Sequence, residues 1–306
     1  MGPLLLAVLL PGLYWDQPVD TAQSLQKAGI ERVYVDPAQV SAWQTQGFTV
    51  LAFDRQAAVK ATVPGVQYRM DVASATTVPW IDANGWQFAR APSRRYFYEA
   101  SKGTAALSAA EAFAYGVEAA VQAAPEDLDS LVRMLHFLSG LDSTPLPARA
   151  NFGVIDDGSD VMGEVLNLMS RHNLLFQIVP APDPKLDLNV RLGTPEYPTD
   201  EAADPYAFAI KLRHKLTDEK RLLRIYGSNV VLGRLTGDEH HAKVQLLNYG
   251  RNTVKGLRVR VLGTYKEPHL AAFGHDNATV RDFMAENGAT EFTIPDLTTY
   301  AAVDLR

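Results

Sequence analysis

Five short apolar runs in the first hundred residues each end in an acid. They occupy positions 12–16, 32–36, 50–54, 66–71 and 95–99, and close on Asp16, Asp36, Asp54, Asp71 and Glu99. Runs rich in Val, Tyr, Phe and Trp favour strands, because branched and flat side chains pack well on a pleated surface. Parallel strands bring their C-terminal ends to one face of a sheet. That face would carry a ring of carboxylates, and in barrels and open α/β sheets it is where ligands bind.

The intervening sequence supports parallel pairing. Asp20 is placed to cap a helix that stops at Gly29, and a short helix from Pro37 to Gln46 stops at Gly47. Strand, helix, strand, helix, strand is a right-handed crossover pattern. Positions 62–95 are strand-like but irregular, with Asn84-Gly85 marking a turn between Trp80 and Trp86. An Ala-rich helix is expected over 105–124 and another over 128–138. Pro145-Leu146-Pro147 marks a linker. Strands at 150–155, 174–179 and 186–192 then alternate with helices at 161–171 and 205–215, the latter capped by Asp204. Arg221 to Tyr226 is a further strand. From position 228 the period changes to two, with strands at 230–235, 242–248, 257–262, 291–294 and 300–305, the pattern of an antiparallel β-sandwich.

A chain of 306 residues exceeds what one core usually needs. The expected fold class is α/β followed by all-β. A shortened (β/α) barrel-like domain spans 1–144, a small α/β flavodoxin-like domain 145–227, and a β-sandwich 228–306. The net charge of −6 argues against a broad nucleic-acid surface. No apolar run reaches the length of a membrane span. Positions 3–10 read as the start of a buried strand running into Trp15, the alternative being a trimmed export signal. The absence of cysteine excludes disulfides and cysteine nucleophiles. No phosphate loop, dinucleotide fingerprint or HExxH motif is present, and no cofactor or metal is expected.

The layout resembles the glycoside hydrolases in which a (β/α) barrel precedes a glutamine-amidotransferase-like domain and a C-terminal β domain, as in the family 42 β-galactosidases. Asn151 to Gly158 with Leu186 to Val190 look like the middle domain. Arg221 to Tyr226, Gln245 to Tyr249 and Leu257 to Val261 look like the sandwich. The resemblance implies a saccharide partner and leans towards a secreted or periplasmic location. A full barrel needs about 250 residues, so the first domain is shortened or partly open. That leaves two alternatives to an active glycosidase: a non-catalytic sugar-binding or assembly module, and a homo-oligomer in which a second subunit supplies the missing strands.

Glycoside hydrolysis needs two carboxyl groups, one protonated as acid and one ionised as nucleophile or base. Asp36 precedes Pro37 and fits a cap, with substrate contact as its second reading. Asp54 precedes a plausible helix start, and Asp82 sits beside the Asn84-Gly85 turn. Asp16 and Glu99 are not needed as caps. The expected catalytic set is therefore Glu99 as acid/base with Asp54 or Asp16 as second carboxylate. Sugar rings pack their C–H faces on aromatics, which makes Tyr14, Trp15, Trp80, Trp86 and Tyr98 the expected substrate contacts; Tyr96 and Trp43 belong to the same aromatic group. Asp238-Glu239-His240-His241 fits a polar hairpin tip, because adjacent strand histidines face opposite ways. Asp156 to Asp160 fits a strand-to-helix turn.

Overall fold

The structure, a computed structural model, describes residues 11–67 and 80–306. The chain forms two units: residues 1–65 with 91–145, and residues 66–90 with 146–306. Asp71 and positions 3–10 lie outside the described residues.

The chain begins with β1 (Gly12–Tyr14), α1 (Ala22–Lys27), β2 (Arg32–Val35), α2 (Val40–Gln44), β3 (Thr49–Ala52) and β4 (Val59–Lys60). It then contributes β5 (Gly65–Gln67), β6 (Trp80–Asp82) and α3 (Gly85–Arg90). The first unit resumes with β7 (Tyr96–Glu99), α4 (Ala105–Tyr115), β8 (Ala119–Gln122) and α5 (Leu128–Ser139). Its sheet has the order β3-β2-β1-β8-β7-β4, and every pairing is parallel. Strands met in succession within this unit are neighbours, the last pairs with the first, and the one break lies between β3 and β4.

This sheet curls. Tyr14, Tyr34, Phe53, Phe97 and Ala120 stand on or at the end of five different strands and form one buried cluster. Phe53, directly after β3, lies 6.2 Å from the Phe97 ring on β7. Those strands are four steps apart in the sheet, about 19 Å if it were flat. Only a sheet wrapped round its aromatic face brings them together. Arg95, preceding β7, also donates to the Ala52 carbonyl of β3 at 3.0 Å.

Strand β8 corrects the expected helix over 105–124. Helix α4 ends at Tyr115 because Gly116 takes the left-handed conformation (φ 66°), which glycine adopts without the Cβ penalty. Ala119 and Ala120 then enter the sheet centre, where neighbours cover both faces and small side chains suffice. Three smaller expectations also fall. Asn84-Gly85 is not a hairpin turn but the entrance to α3, with Phe88 N–H bonded to the Asn84 carbonyl at 3.0 Å. Residues 55–58 form turns, not a helix. Asp20 lies in a 3₁₀ turn and supplies no cap bond to α1.

The second unit joins a parallel sheet to two antiparallel ones. Strands β9 (Phe152–Val154), β10 (Phe176–Ile178) and β11 (Leu188–Val190) form the parallel sheet, in the order β10-β9-β11, with α6 (Asp160–Arg171) and α7 (Pro205–Leu216). Ser159 caps α6 by accepting from Met162 N–H at 3.1 Å, and Asp204 caps α7 by accepting from Ala207 N–H at 3.0 Å. The remaining strands are β12 (Leu223–Tyr226), β13 (Val231–Gly237), β14 (Ala242–Asn248), β15 (Val254–Leu262), β16 (Pro268–Ala272), β17 (Arg281–Glu286), β18 (Ala289–Leu297) and β19 (Tyr300–Leu305). They form two sheets, β12-β15-β18-β17 and β13-β14-β19-β16. Leu223, Val259 and Phe292 of one sheet share a core with Val231, Val244 and Val303 of the other. Strand β12 thus serves an antiparallel sheet although it precedes position 228, and β16 and β17 went unread in the sequence.

Candidate functional site at the strand ends

The C-terminal ends of β1, β2 and β3 deliver Asp16, Asp36 and Asp54 to a single cleft of about 520 Å³, lined also by Tyr14, Pro37, Gln39, Arg55 and Gln56. Parallel register is the cause. Tyr14 pairs with Tyr34 and Val35 with Ala52, so the residues just beyond them emerge side by side.

Each acid has a different occupation. Asp36 accepts from Ala38 N–H at 2.9 Å and caps the turn that starts at Pro37. Asp54 accepts from Gln56 N–H at 2.9 Å and Ala57 N–H at 3.3 Å. Asp16 makes no local cap. It receives Gln17 Nε2 at 3.0 Å and Gln122 Nε2, from the end of β8, at 2.7 Å. Arg55 approaches Asp16 at 3.9 Å. Tyr14 is buried, and burial raises its hydroxyl pKa; Arg55 opposes the rise, while Asp36, Asp16 and Asp54 add to it. The phenol therefore stays protonated, a fixed donor beside three carboxylates.

Glu99 stands at the end of β7, opposite Gln122 in the β7–β8 register. It is exposed and accepts from Lys60 Nζ of β4 at 2.7 Å. That hydrogen bond, with the charge of Lys60, holds its carboxyl below the usual range, and Arg55 contributes in the same direction. A group so held is ionised at neutral pH, the state of a nucleophile or base rather than of an acid.

The expected aromatics are dispersed. Tyr14 lines the cleft. Trp15 is half-buried and does not line it; its indole N–H donates to Thr21 Oγ1 at 2.9 Å. Tyr98 is core: it is fully buried and its hydroxyl donates to Glu111 of α4 at 2.7 Å. Alternation along β7 explains this, since Phe97 takes the aromatic face and its neighbour must point the other way. Trp80 and Trp86 are built into the second unit. The Trp80 indole donates to Asp82 at 3.0 Å, and its ring carries the Arg171 guanidinium at 3.7 Å. Trp86 packs on the core of the parallel sheet. Arg55 and Gln122 were missed as site residues. Arg55 follows Asp54 directly and could have been read as its companion; Gln122 was hidden inside the supposed helix.

The hairpin tip at 238–241 is as expected, with Asp238 accepting from the His240 and His241 N–H groups at 2.8 and 2.9 Å. Among the described residues, no helix is long and apolar enough to cross a membrane.

No protein-family model and no curated protein sequence matches the chain. Its fold is similar to that of α-L-fucosidase isoenzyme 2 from Paenibacillus thiaminolyticus, with a TM-score of 0.54 at 9% identity, covering 94% of this chain and 71% of that one. Lower similarities are found to a rhamnosidase from Novosphingobium sp. PP1Y (TM-score 0.46, 11% identity, 93% of this chain and 38% of that one) and to a GH42 β-galactosidase from G. stearothermophilus (TM-score 0.39, 9% identity, 81% and 53%). At 9% identity the likeness to the fucosidase is one of fold alone, that of a mixed α/β chain combining a parallel sheet with antiparallel ones.

Proposed function

We propose that this is a carbohydrate-active protein whose strand-end cleft takes a saccharide, and that it acts as a glycoside hydrolase. The observation that carries the reading is the convergence of Asp16, Asp36, Asp54, Tyr14 and Arg55 on one cleft at the C-terminal ends of parallel strands. The first unit is read as a reduced (β/α) barrel, a ring of six strands opened once, and the curled aromatic layer supports that reading. The three-stranded parallel sheet is read as the amidotransferase-like domain expected over 145–227. The paired antiparallel sheets are read as the sandwich of 228–306, with β12 added to it.

In this reading Asp16 and Asp54 are the carboxyl groups for hydrolysis within the cleft. Glu99, exposed and ion-paired to Lys60, would assist as base or nucleophile rather than as the acid. One carboxyl protonates the departing glycosidic oxygen while the other attacks the sugar carbon or activates water. Tyr14 and Arg55 supply hydrogen-bond donors to the sugar.

A panel of aryl glycosides and polysaccharides, scored for binding and for hydrolysis, tests this. Asp16→Asn and Asp54→Asn should each reduce hydrolysis by about a hundredfold or more, because acid–base groups contribute at least that much. Tyr14→Phe should weaken binding by about tenfold, the loss of one donor to a polar ligand. Unchanged hydrolysis in both Asp variants overturns the assignment. The turn bonds of Asp36 and Asp54 and the Lys60–Glu99 pair favour a second reading, a saccharide-binding module without turnover. Saccharide binding with no hydrolysis of any panel member would select it.

A further inference from the structure

The second unit contains a cavity of about 280 Å³, near the lower end of the range for small-molecule sites. Its walls come from β6, the end of α6, α7 and the stretch from β12 into β13. Among the described lining residues there are three arginines, Arg171, Arg213 and Arg221, and no Asp or Glu. His172 and Tyr206 line it as well, their rings 5.2 Å apart.

Part of this cluster serves the fold. Asn173 ends α6 in the left-handed conformation (φ 52°), and Arg221 donates to the His172 and Asn173 carbonyls at 3.0 and 3.2 Å. That satisfies the C-terminus of α6. It does not account for the charge. The carboxylate of Asp218, behind the pocket, faces Arg213, Arg221 and Arg224 together, at 3.3–3.4 Å. One anion thus answers three guanidiniums; Arg171, stacked on Trp80 at 3.7 Å, adds a further cationic wall. Arg221 is only 6% exposed, yet its Nε has no hydrogen-bond partner, and neither does the buried Nε2 of His172. Buried polar nitrogens without partners are costly and rare in folded proteins.

We propose that this pocket binds the oxyanion group, carboxylate or phosphate, of a small polar molecule. Planar guanidiniums match both groups bidentately. Asn229 and Ser228 line the same cavity and suit the hydroxyls of a sugar acid or sugar phosphate, with Tyr206 as an apolar wall. The site is independent of the strand-end cleft and stands whether or not that cleft takes a sugar.

His172 provides the readout. Burial and the charges of Arg171, Arg213 and Arg221 hold its pKa down at about 4, so the ring is neutral at neutral pH. The groups that face it are those arginines and Tyr206, with Asp218 beyond them. A bound oxyanion offsets the guanidinium charge and makes protonation of His172 easier. Its pKa therefore rises on binding, and affinity increases as pH falls towards that value, until the ligand itself is protonated.

The experiment is an NMR titration of the His172 ring in the full chain, assigned with His172→Asn. It uses inorganic phosphate, glucose 6-phosphate, glucuronate and, as neutral control, methyl glucoside. At least one anionic probe should raise the His172 pKa by about one unit or more, with no response to methyl glucoside. The tighter of the phosphorylated and carboxylated sugars identifies the ligand class. Arg213→Gln, on a partly exposed side chain, should weaken the anion about tenfold or more; if that variant unfolds, Arg171→Gln replaces it. The proposal is overturned if no anion shifts His172 at about 10 mM, well above the usual range for a specific small-molecule site. It is equally overturned if methyl glucoside acts as the anions do, or if a folded arginine variant binds like the wild type.

Discussion

Phe53→Ala should cost the first unit about 4 kcal/mol, within the range for emptying an aromatic core site. Phe53 is fully buried. Its ring meets Tyr34 at 5.4 Å, Tyr14 at 6.0 Å and Phe97 at 6.2 Å, and the Arg95 guanidinium lies over it at 4.5 Å. Its backbone N–H extends the ladder to Val35 at 2.8 Å. The side chain therefore fills the middle of a curled sheet whose surrounding rings are held by separate strands and cannot collapse inward. Edge-on aromatic contacts add about 1 kcal/mol each beyond burial. Urea unfolding followed through the fully buried Trp43 measures the loss. Phe53→Leu should lose less than half as much. A loss under about 1.5 kcal/mol for the alanine variant would mean that the aromatic layer is not the core of this unit. Asp54 follows Phe53 and Tyr14 leans on it, so ligand affinity at the cleft should fall in step with stability.

Arg90→Ala should cost the second unit about 3 kcal/mol. Arg90 ends α3 and binds Asp156 through two parallel bonds of 2.6 Å, while also donating to the Ser159 carbonyl at 2.9 Å. Both partners are largely buried, with side-chain exposures of 21% and 12%. The hydrogen bond to Arg90 is the main cause of the lowered Asp156 pKa, outweighing burial, and the Gly158 N–H adds to it. A depressed carboxylate stabilises the fold above its unfolded pKa, and that stability is lost as pH falls through the folded value. Removing Arg90 strands the carboxylate, so the variant should lose stability at neutral pH and show a shallower acid limb. Arg90→Ala/Asp156→Asn should recover part of the loss. The contact matters beyond the pair. Trp86 of α3 lies against Gly163 of α6 so closely that a Cβ there would meet its ring at 3.2 Å and Arg90 at 3.1 Å. Hydrogen exchange should rise across α3 in Arg90→Ala, and unchanged protection there would sink this account.

The sequence exposed those features whose causes are local. Gly29, Gly47 and Asp204 end or start helices by φ or by a side-chain bond, and such signals are visible in a few residues. Four of the five acid-ended runs, those closing on Asp16, Asp36, Asp54 and Glu99, became parallel strand ends because composition and turn spacing agreed. What stayed hidden depends on neighbours. Ala119 to Gln122 has the composition of a helix and becomes a strand because flanking strands and helices cover it. Tyr98 and Phe97 are equivalent in composition, and only the register decides which one faces the aromatic layer. Asp16 was separable from Asp36 by local capping alone. The distinction between Glu99 and Asp16, an ion pair with Lys60 against a bond from Gln122, required the sheet order.

The crossing of the chain between units has a consequence for biosynthesis. Helix α3 is complete at Arg90, but its partner helix α6 begins only at Asp160, seventy positions later. Translation at about 5–20 residues per second leaves Trp80, Trp86 and Arg90 waiting several seconds or longer for Asp156 and Gly163. During that interval β7, β8 and α4 emerge and can close the first sheet. The nascent chain thus completes its first unit around an apolar segment that has yet to find its place. Slowing the ribosome between positions 90 and 160 should therefore lengthen the time that segment stands exposed.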